Sequence, residues 1–104
     1  MKAIDQHVRV SYVEYAPGTL ETVSKETDAS LMALVRQQAG LIEFAIVQTG
    51  HDSRMVVGTW QSREHAEEWA TKGMAWLTEV AKISEQVTFH VTYSGDVIIA
   101  ENAS

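Results

Sequence analysis

The sequence predicts a single α+β domain, covering residues 1–104, in which helices pack on one face of an antiparallel sheet. Segments typical of strands and helices follow one another in the order β-α-β-β-α-β. The chain has 104 residues with 45% hydrophobic content, which suits one domain with its own core. It contains no cysteine, so no disulfide supports the fold and packing must hold it together.

The first strand and the first helix are predicted within residues 8–40. Residues 8–15, VRVSYVEY, are rich in β-branched and aromatic side chains, and Ala16-Pro17-Gly18 ends the strand. Thr19 can cap a helix, and Gly40 supplies the left-handed residue that commonly ends one. One long amphipathic helix is therefore expected, with these apolar residues near one face: Leu20, Val23, Leu31, Leu34 and Val35.

A hairpin follows, formed by strands at 41–49 and 54–60 around a polar turn. Ser62 stands where the N-cap of a second helix belongs. Gly73 is expected to interrupt that helix, after which the helical spacing resumes as far as Ile83.

The last main strand is predicted at 87–93, where Ser94-Gly95-Asp96 is expected to end it. Its alternation places Val87, Phe89, Val91 and Tyr93 on one face and Thr88, His90 and Thr92 on the other. A short apolar tail, VIIA at 97–100, comes next, and its exposure to water would be unfavourable unless it packs on another surface.

This order of elements is the ferredoxin-like one. The strand at 41–49 and much of 54–60 are apolar on both faces, although helices can cover only one face of such a sheet. We therefore expect a homodimer in which two sheets pack face to face and residues 97–100 pack on the partner subunit.

Charge and composition exclude several classes of partner. The chain has 14 acidic and 8 basic residues, a net charge of −6, and no basic cluster, which disfavours nucleic acid and anionic membranes. No segment has the length and apolarity of a secretory signal or a membrane span, so a soluble cytoplasmic protein is expected. The four histidines are scattered, and their spacing predicts no metal site.

Three short motifs carry a resemblance: A-P-G at 16–18, Q-A-G-L at 38–41 and T-W-Q-S-R-E at 59–64. Together they resemble the antibiotic biosynthesis monooxygenase family of dimeric α+β barrels over nearly the whole chain. The resemblance implies a cofactor-independent monooxygenase acting with O2 on a phenolic or quinol-type molecule. It leaves open a non-catalytic barrel that binds a small planar or apolar ligand, haem included, and an isomerase or cyclase acting on a lactone or polyketide.

The resemblance also points to two tryptophans. Trp60 matches a strand-end tryptophan implicated at the site of the quinol-oxidising members, and Trp69, nine residues later, matches a helix tryptophan of the haem-degrading branch. Ala66 and Val56 stand where some of the quinol-oxidising enzymes have a tyrosine and an asparagine. Ser11 stands at the first-strand asparagine of the haem-degrading branch.

The residues themselves suggest a pocket between the helices and the concave face of the sheet. Gly58 is expected to leave room for a ligand beside the Trp60 indole, although Trp60 at the rim of a core is the plainer interpretation. His90 shares a polar stripe with Thr88 and Thr92 that faces either the pocket or the dimer interface, and a structural histidine is the plainer interpretation. It is nevertheless the best candidate for a general base, because imidazole has an ordinary pKa of about 6.5. Arg9 can orient an anionic substrate or pair across the dimer.

The predicted site has two groups of residues. The catalytic candidates are Trp60, His90 and Arg9. The substrate-binding candidates are Trp69, Tyr12, Ser11, Met74 and Trp76, although tryptophans at helical spacing belong more often to a core.

Overall fold

The computed structural model describes residues 5–22, 25–81 and 87–101, and it confirms the predicted order of elements. Its four strands are β1 (His7–Tyr15), β2 (Leu41–Gly50), β3 (Ser53–Trp60) and β4 (Val87–Asp96). Its helices are α1 (Thr19–Thr22), α2 (Lys25–Arg36) and α3 (Arg63–Ala75), the last followed by a π-helical segment at Trp76–Ala81.

The strands form one antiparallel sheet in the order β2-β3-β1-β4. Helix α3 lies against β3 and β1, and helix α2 lies against β2. Between the helices and the sheet is a small core built on Val35, Trp60, Ala66 and Trp69. The helices and the core therefore share one side of the sheet, which we call the inner face.

The strand register assigns each residue to a face, because residues directly opposite in an antiparallel ladder point to the same side. Arg9 pairs with Gly58, and Gly58 in turn pairs with Phe44. These positions belong to the inner face, and their immediate neighbours in sequence belong to the other side, the outer face. The outer face carries Val8, Val10, Tyr12, Val47, Met55, Val57, Phe89, Val91 and Tyr93.

The two predicted turn glycines have the expected left-handed conformation. Gly18 has φ of 81°, and its N–H donates to Asp52 Oδ1 at 3.0 Å. Gly40 has φ of 80°, and the His65 ring packs so closely over it that any Cβ would collide with the imidazole. Both positions therefore require glycine, and they fix the entry to the first helical segment and the start of β2.

The helices differ from the sequence prediction in two places. The region predicted as one long helix holds α1 and α2; Val23 lies outside the described residues, as does Ile83. Gly73 does not interrupt α3, which runs on to Ala75, where the π-helical segment begins. A Cβ at this position would lie 3.5 Å from the Trp69 indole, an ordinary van der Waals contact, so the helix neither ends at Gly73 nor requires a glycine there.

Strand β4 is longer than predicted. The turn-forming residues Ser94, Gly95 and Asp96 continue the ladder, because β1 begins early enough to pair with all three. The His7 Nδ1 and Asp96 Oδ1 atoms are 2.9 Å apart and join the two strand ends. Pairing thus overrides the local turn preference of these residues.

A bulge in β4 changes one predicted side-chain direction. Glu14 pairs with Phe89 and Tyr15 pairs with Val87, so Thr88 is the extra residue. The bulge moves Val87 from the face of Phe89 to that of His90, and its predicted face is wrong.

Candidate functional site

A cavity of about 400 Å³ lies between the inner face of the sheet, helices α2 and α3, and the π-helical segment. This volume is in the range of small-molecule sites, roughly 300–1,000 Å³. The sheet contributes Arg9, Ser11, Val13, Tyr15, Phe44, Val56, Val87, His90 and Thr92. The helical side contributes Leu31, Trp69, Ala70, Gly73, Met74 and Leu77.

Aromatic rings form one wall of this cavity. Trp69 meets Phe44 edge to face, with ring centroids 5.6 Å apart and an interplanar angle of 82°. Its other neighbour is Trp60, which stacks on it at 5.9 Å and 25°. Trp69 is therefore held between two rings, and only 7% of it is exposed. A rigid indole of this kind presents an apolar surface of fixed position to a ligand.

Trp60 lies behind this wall and does not line the cavity. It is completely buried, and its own ring fills the space above Gly58, where a Cβ would come within 2.8 Å of the indole Nε1. The room predicted for a ligand beside Gly58 is therefore absent. The Nε1 group has no hydrogen-bond partner among the described residues, so the ring acts as apolar support for Trp69.

Polar side chains from strands β1 and β4 lie on the side of the cavity opposite the aromatic wall. The hydroxyl groups of Ser11 and Thr92 are 2.9 Å apart and form a hydrogen bond. Arg9 lies two residues before Ser11 on the same face, and His90 lies two residues before Thr92. His90 and Thr92 are exposed, and β4 is an edge strand, so this side is the mouth of the cavity.

Tyr15 also lines the cavity, although it is not among the residues predicted from the sequence. Burial raises the pKa of its phenol above the ordinary value of 10.0; nearby Arg54 opposes this effect, and Asp28 adds to it. The phenol therefore stays protonated and can donate a hydrogen bond at the far end of the cavity from Arg9. Its position could have been found by parity, since it continues the series of Arg9, Ser11 and Val13.

Two predicted pocket residues lie elsewhere. Tyr12 is on the outer face, where its ring centroid is 6.3 Å from that of Phe89, because its parity in β1 is opposite to that of Arg9 and Ser11. Trp76 lines a separate, shallower cavity of about 430 Å³ between α2 and α3. Its Nε1 donates to Ser30 Oγ at 3.1 Å, which directs the indole away from the sheet.

The remaining predicted residues come together around one space. Arg9, Ser11, Trp69, Met74 and His90 all line the cavity on the inner face. Met74 is 55% exposed and lies at its rim.

Comparison with known proteins identifies the fold. No protein-family model and no curated protein sequence matches the chain. Among solved structures, a putative antibiotic biosynthesis monooxygenase from Nitrosomonas europaea superposes with a TM-score of 0.71 at 13% identity, over 94% of this chain and 92% of that one. The chain has the fold of the antibiotic biosynthesis monooxygenases.

Two further structures with this fold differ in their chemistry. SnoaB, a cofactor-independent oxygenase from Streptomyces nogalater, has a TM-score of 0.64 at 12% identity, covering 94% of this chain and 96% of SnoaB. A variant of MhuD with two manganese protoporphyrin IX molecules in each active site has a TM-score of 0.69 at 19% identity, covering 93% and 99%. The shared fold is therefore compatible with more than one activity.

Neither a membrane-spanning helix nor a group of metal ligands occurs among the described residues. No helix in ranges 5–22, 25–81 and 87–101 is both long and apolar enough to cross a membrane. Within the same ranges, no three histidine, aspartate or glutamate side chains are grouped as ligands for a metal ion.

Proposed function

We propose that the protein is a cofactor-independent monooxygenase that oxidises a phenolic or quinol-type small molecule with O2. One observation supports this most directly: the cavity combines a fixed aromatic wall, formed by Trp69 and Phe44, with the imidazole of His90 at its mouth. A flat aromatic substrate fits such a wall, and a histidine can remove its proton near neutral pH.

The proposed reaction starts with proton transfer. His90 takes a proton from an acidic methylene or hydroxyl group of the substrate and leaves an electron-rich anion. The anion passes one electron to O2, and the two radicals combine to form a carbon–oxygen bond. Protonation of the resulting peroxide and loss of water then convert a methylene into a carbonyl, so that one CH2 group and one O2 give one C=O group and one water.

The cavity supports the intermediate anion in two ways. Arg9 supplies a positive charge on the same wall as Ser11, and the Ser11–Thr92 hydroxyl pair supplies neutral hydrogen-bond donors. The apolar wall opposite excludes water from the ring of the substrate, which strengthens these interactions. In this proposal Trp60 acts by holding Trp69 in place.

A homodimer is part of the same proposal. Phe89, Tyr93 and Val47 on the outer face are 52%, 70% and 45% exposed in a single chain, and most outer-face residues between them are also apolar. A second sheet packed face to face would cover this surface. Ile98 and Ile99, 81% and 74% exposed in the tail, would be covered by packing on the partner subunit.

A second candidate is a non-catalytic barrel that binds a planar apolar ligand, which the position of Trp69 in the cavity wall favours. MhuD has this fold and holds a metalloporphyrin. However, the described helical wall of the cavity offers the thioether of Met74 and no imidazole, so it does not fit the histidine ligation of haem.

The test is oxygen uptake by chelator-treated protein with dihydroxynaphthalenes, anthrones and quinols. We expect uptake that requires the protein, falls at least about a hundredfold in His90→Ala, and is unchanged in His51→Ala. His51 is the matched control because its exposed ring pairs with Glu21 and Asp52, outside the cavity.

Three other results would redirect the assignment. Uptake that is equal in His90→Ala and the native protein would contradict the role of His90. Turnover of a lactone or polyketide without oxygen would identify an isomerase or cyclase. Binding of a planar ligand without any turnover would identify a binding protein.

A further inference from the structure

Arg9 differs from Arg54, the other arginine on the inner face, in having no counter-ion among the described residues. Arg54 donates to both carboxylate oxygens of Asp28, at 3.0 and 3.4 Å. Arg9 is also partly buried, but within residues 5–22, 25–81 and 87–101 its guanidinium forms no ion pair and no hydrogen bond. Within the described part of the chain, the cavity wall therefore carries a cation without a partner.

An unpaired guanidinium in this place has a cost and a use. Partial burial removes water from the charge, and arginine cannot relieve this cost by losing its proton. An anion that enters the cavity would restore the lost interactions. The planar fork of the guanidinium matches a carboxylate, which it can bind through two parallel hydrogen bonds.

The strand register sets the distance between this cation and the proposed base. His90 pairs with Val13, which lies four residues after Arg9 on β1. Four residues of extended strand span roughly 14 Å between Cα atoms. The Ser11–Thr92 pair occupies the interval and offers hydroxyl groups without a charge. A ligand that meets both Arg9 and His90 must therefore be elongated, with its anionic group and its acidic proton at different ends.

The partner subunit is not the counter-ion in this arrangement. Arg9 lies on the inner face, whereas the surface proposed for dimer contact is the outer face, which begins with the neighbouring residues Val8 and Val10. A partner sheet packed on the outer face would not reach the Arg9 guanidinium.

We propose that the substrate of this site is an aromatic carboxylic acid of at least two fused rings, and that Arg9 is the residue that selects it by binding its carboxylate. The rings lie against Trp69, and the acidic hydroxyl or methylene lies at the His90 end. The catalytic consequence rests on the proposed oxygenase function. Selection of the carboxylate is a property of binding, and it is measured without turnover.

The test compares 6-hydroxy-2-naphthoic acid, whose carboxylate and hydroxyl group lie at opposite ends of the ring system, with its methyl ester, which lacks the negative charge. Binding is followed by quenching of tryptophan fluorescence. We expect the acid to bind about tenfold more tightly or better, because hydrogen bonds between a guanidinium and a carboxylate are stronger than hydrogen bonds to a neutral ester. The preference should disappear in Arg9→Gln and weaken in Arg9→Lys, which keeps the charge but loses the fork.

Arg36→Gln is the matched control, because it makes the same change in net charge at an exposed position at the end of α2. It should keep the preference for the acid. Equal binding of acid and ester by the native protein would overturn the proposal, as would a preference that survives in a folded Arg9→Gln variant. The native comparison decides the matter even where Arg9→Gln fails to fold.

The two proposals fail separately. A preference for the acid that depends on Arg9, together with no oxygen uptake on any substrate, would support the carboxylate site and reject the oxygenase. Oxygen uptake on neutral quinols, with no preference for the acid, would support the oxygenase and reject the carboxylate site.

Discussion

The two faces of the sheet are made from the same four strands, yet they differ in cover and chemistry. The inner face combines a buried aromatic cluster with arginine, serine, threonine and histidine side chains around a cavity. The outer face is apolar across the middle of the sheet, has Glu14 and Glu43 toward its ends, and is left open in a single chain. A face that mixes polar and aromatic groups under helices suits a ligand, whereas a predominantly apolar face suits another protein surface.

Strand β1 shows how closely the two roles are interleaved. Arg9 and Ser11 face the cavity, and Val10 and Tyr12 between and after them face the other side. Because side chains alternate along a strand, a single-residue step separates a proposed ligand contact from a proposed subunit contact. Substitutions one residue apart should therefore affect different properties of the protein.

The largest expected effect is a loss of folding free energy on substitution of an inner-face residue. Trp69→Ala removes an indole that is packed between Trp60 and Phe44, and such losses cost about 3–5 kcal/mol of folding free energy. Urea unfolding of the native protein and the variant measures the difference.

The control for Trp69→Ala is an outer-face aromatic residue. Tyr93→Ala should cost less than about 1 kcal/mol when both are measured in a monomeric background, because Tyr93 is 70% exposed in a single chain. Equal losses at the two positions would remove the distinction between the faces.

The next largest expected effect is a weaker dimer on substitution of an outer-face residue. Val10→Glu places a charge between the apolar residues Val57 and Tyr93, where a face-to-face dimer would bury it twice. A penalty of about 2 kcal/mol in each subunit weakens dimerisation roughly a thousandfold. Light scattering over a range of protein concentrations measures the change.

Ser11→Glu is the neighbouring control. Its side chain points into the cavity beside Thr92, so it should leave the dimer intact while weakening binding of the naphthoic acid. A native protein that is monomeric at micromolar concentration, or a Val10→Glu variant that stays dimeric, would contradict the assignment of the outer face.

The smallest effect concerns ionisation of Tyr15. Its pKa is raised above 10.0, mainly by burial, so the difference in ultraviolet absorbance between the native protein and Tyr15→Phe should show a phenol that ionises above that value. Because the folded state disfavours the phenolate, folding stability should fall as pH rises past the unfolded value of about 10. A midpoint at or below 10 would show that solvent reaches the Tyr15 end of the cavity.

The order of elements could be predicted from the sequence because local signals determine it. Gly18 and Gly40 mark real left-handed turns, and the alternation of apolar residues identifies strands. The length of β4 and its bulge at Thr88 could not be predicted in this way, because they depend on where β1 begins and how it pairs. A turn-forming sequence such as Ser94-Gly95-Asp96 stays extended when a partner strand is present.

The site was harder to predict because the alternation along a strand assigns each side chain to a face of the sheet but does not show how deeply that side chain is buried. Trp60 was placed on the correct face, yet it lies too deep to meet a ligand. The prediction of Trp76 in the pocket is wrong, because the direction of its side chain depends on the packing of the helices and on its hydrogen bond to Ser30. Tyr12 is a different kind of error, because the alternation within β1 already separates it from Arg9 and Ser11.

The most direct test of the division between the two faces is to map binding by nuclear magnetic resonance. Adding 6-hydroxy-2-naphthoic acid to the labelled protein should shift the signals of Arg9, Ser11, His90 and the Trp69 indole, and leave those of Tyr93 and Val47 on the outer face unchanged. Shifts concentrated on the outer face, or between α2 and α3 around Trp76, would contradict a ligand site in the inner-face cavity.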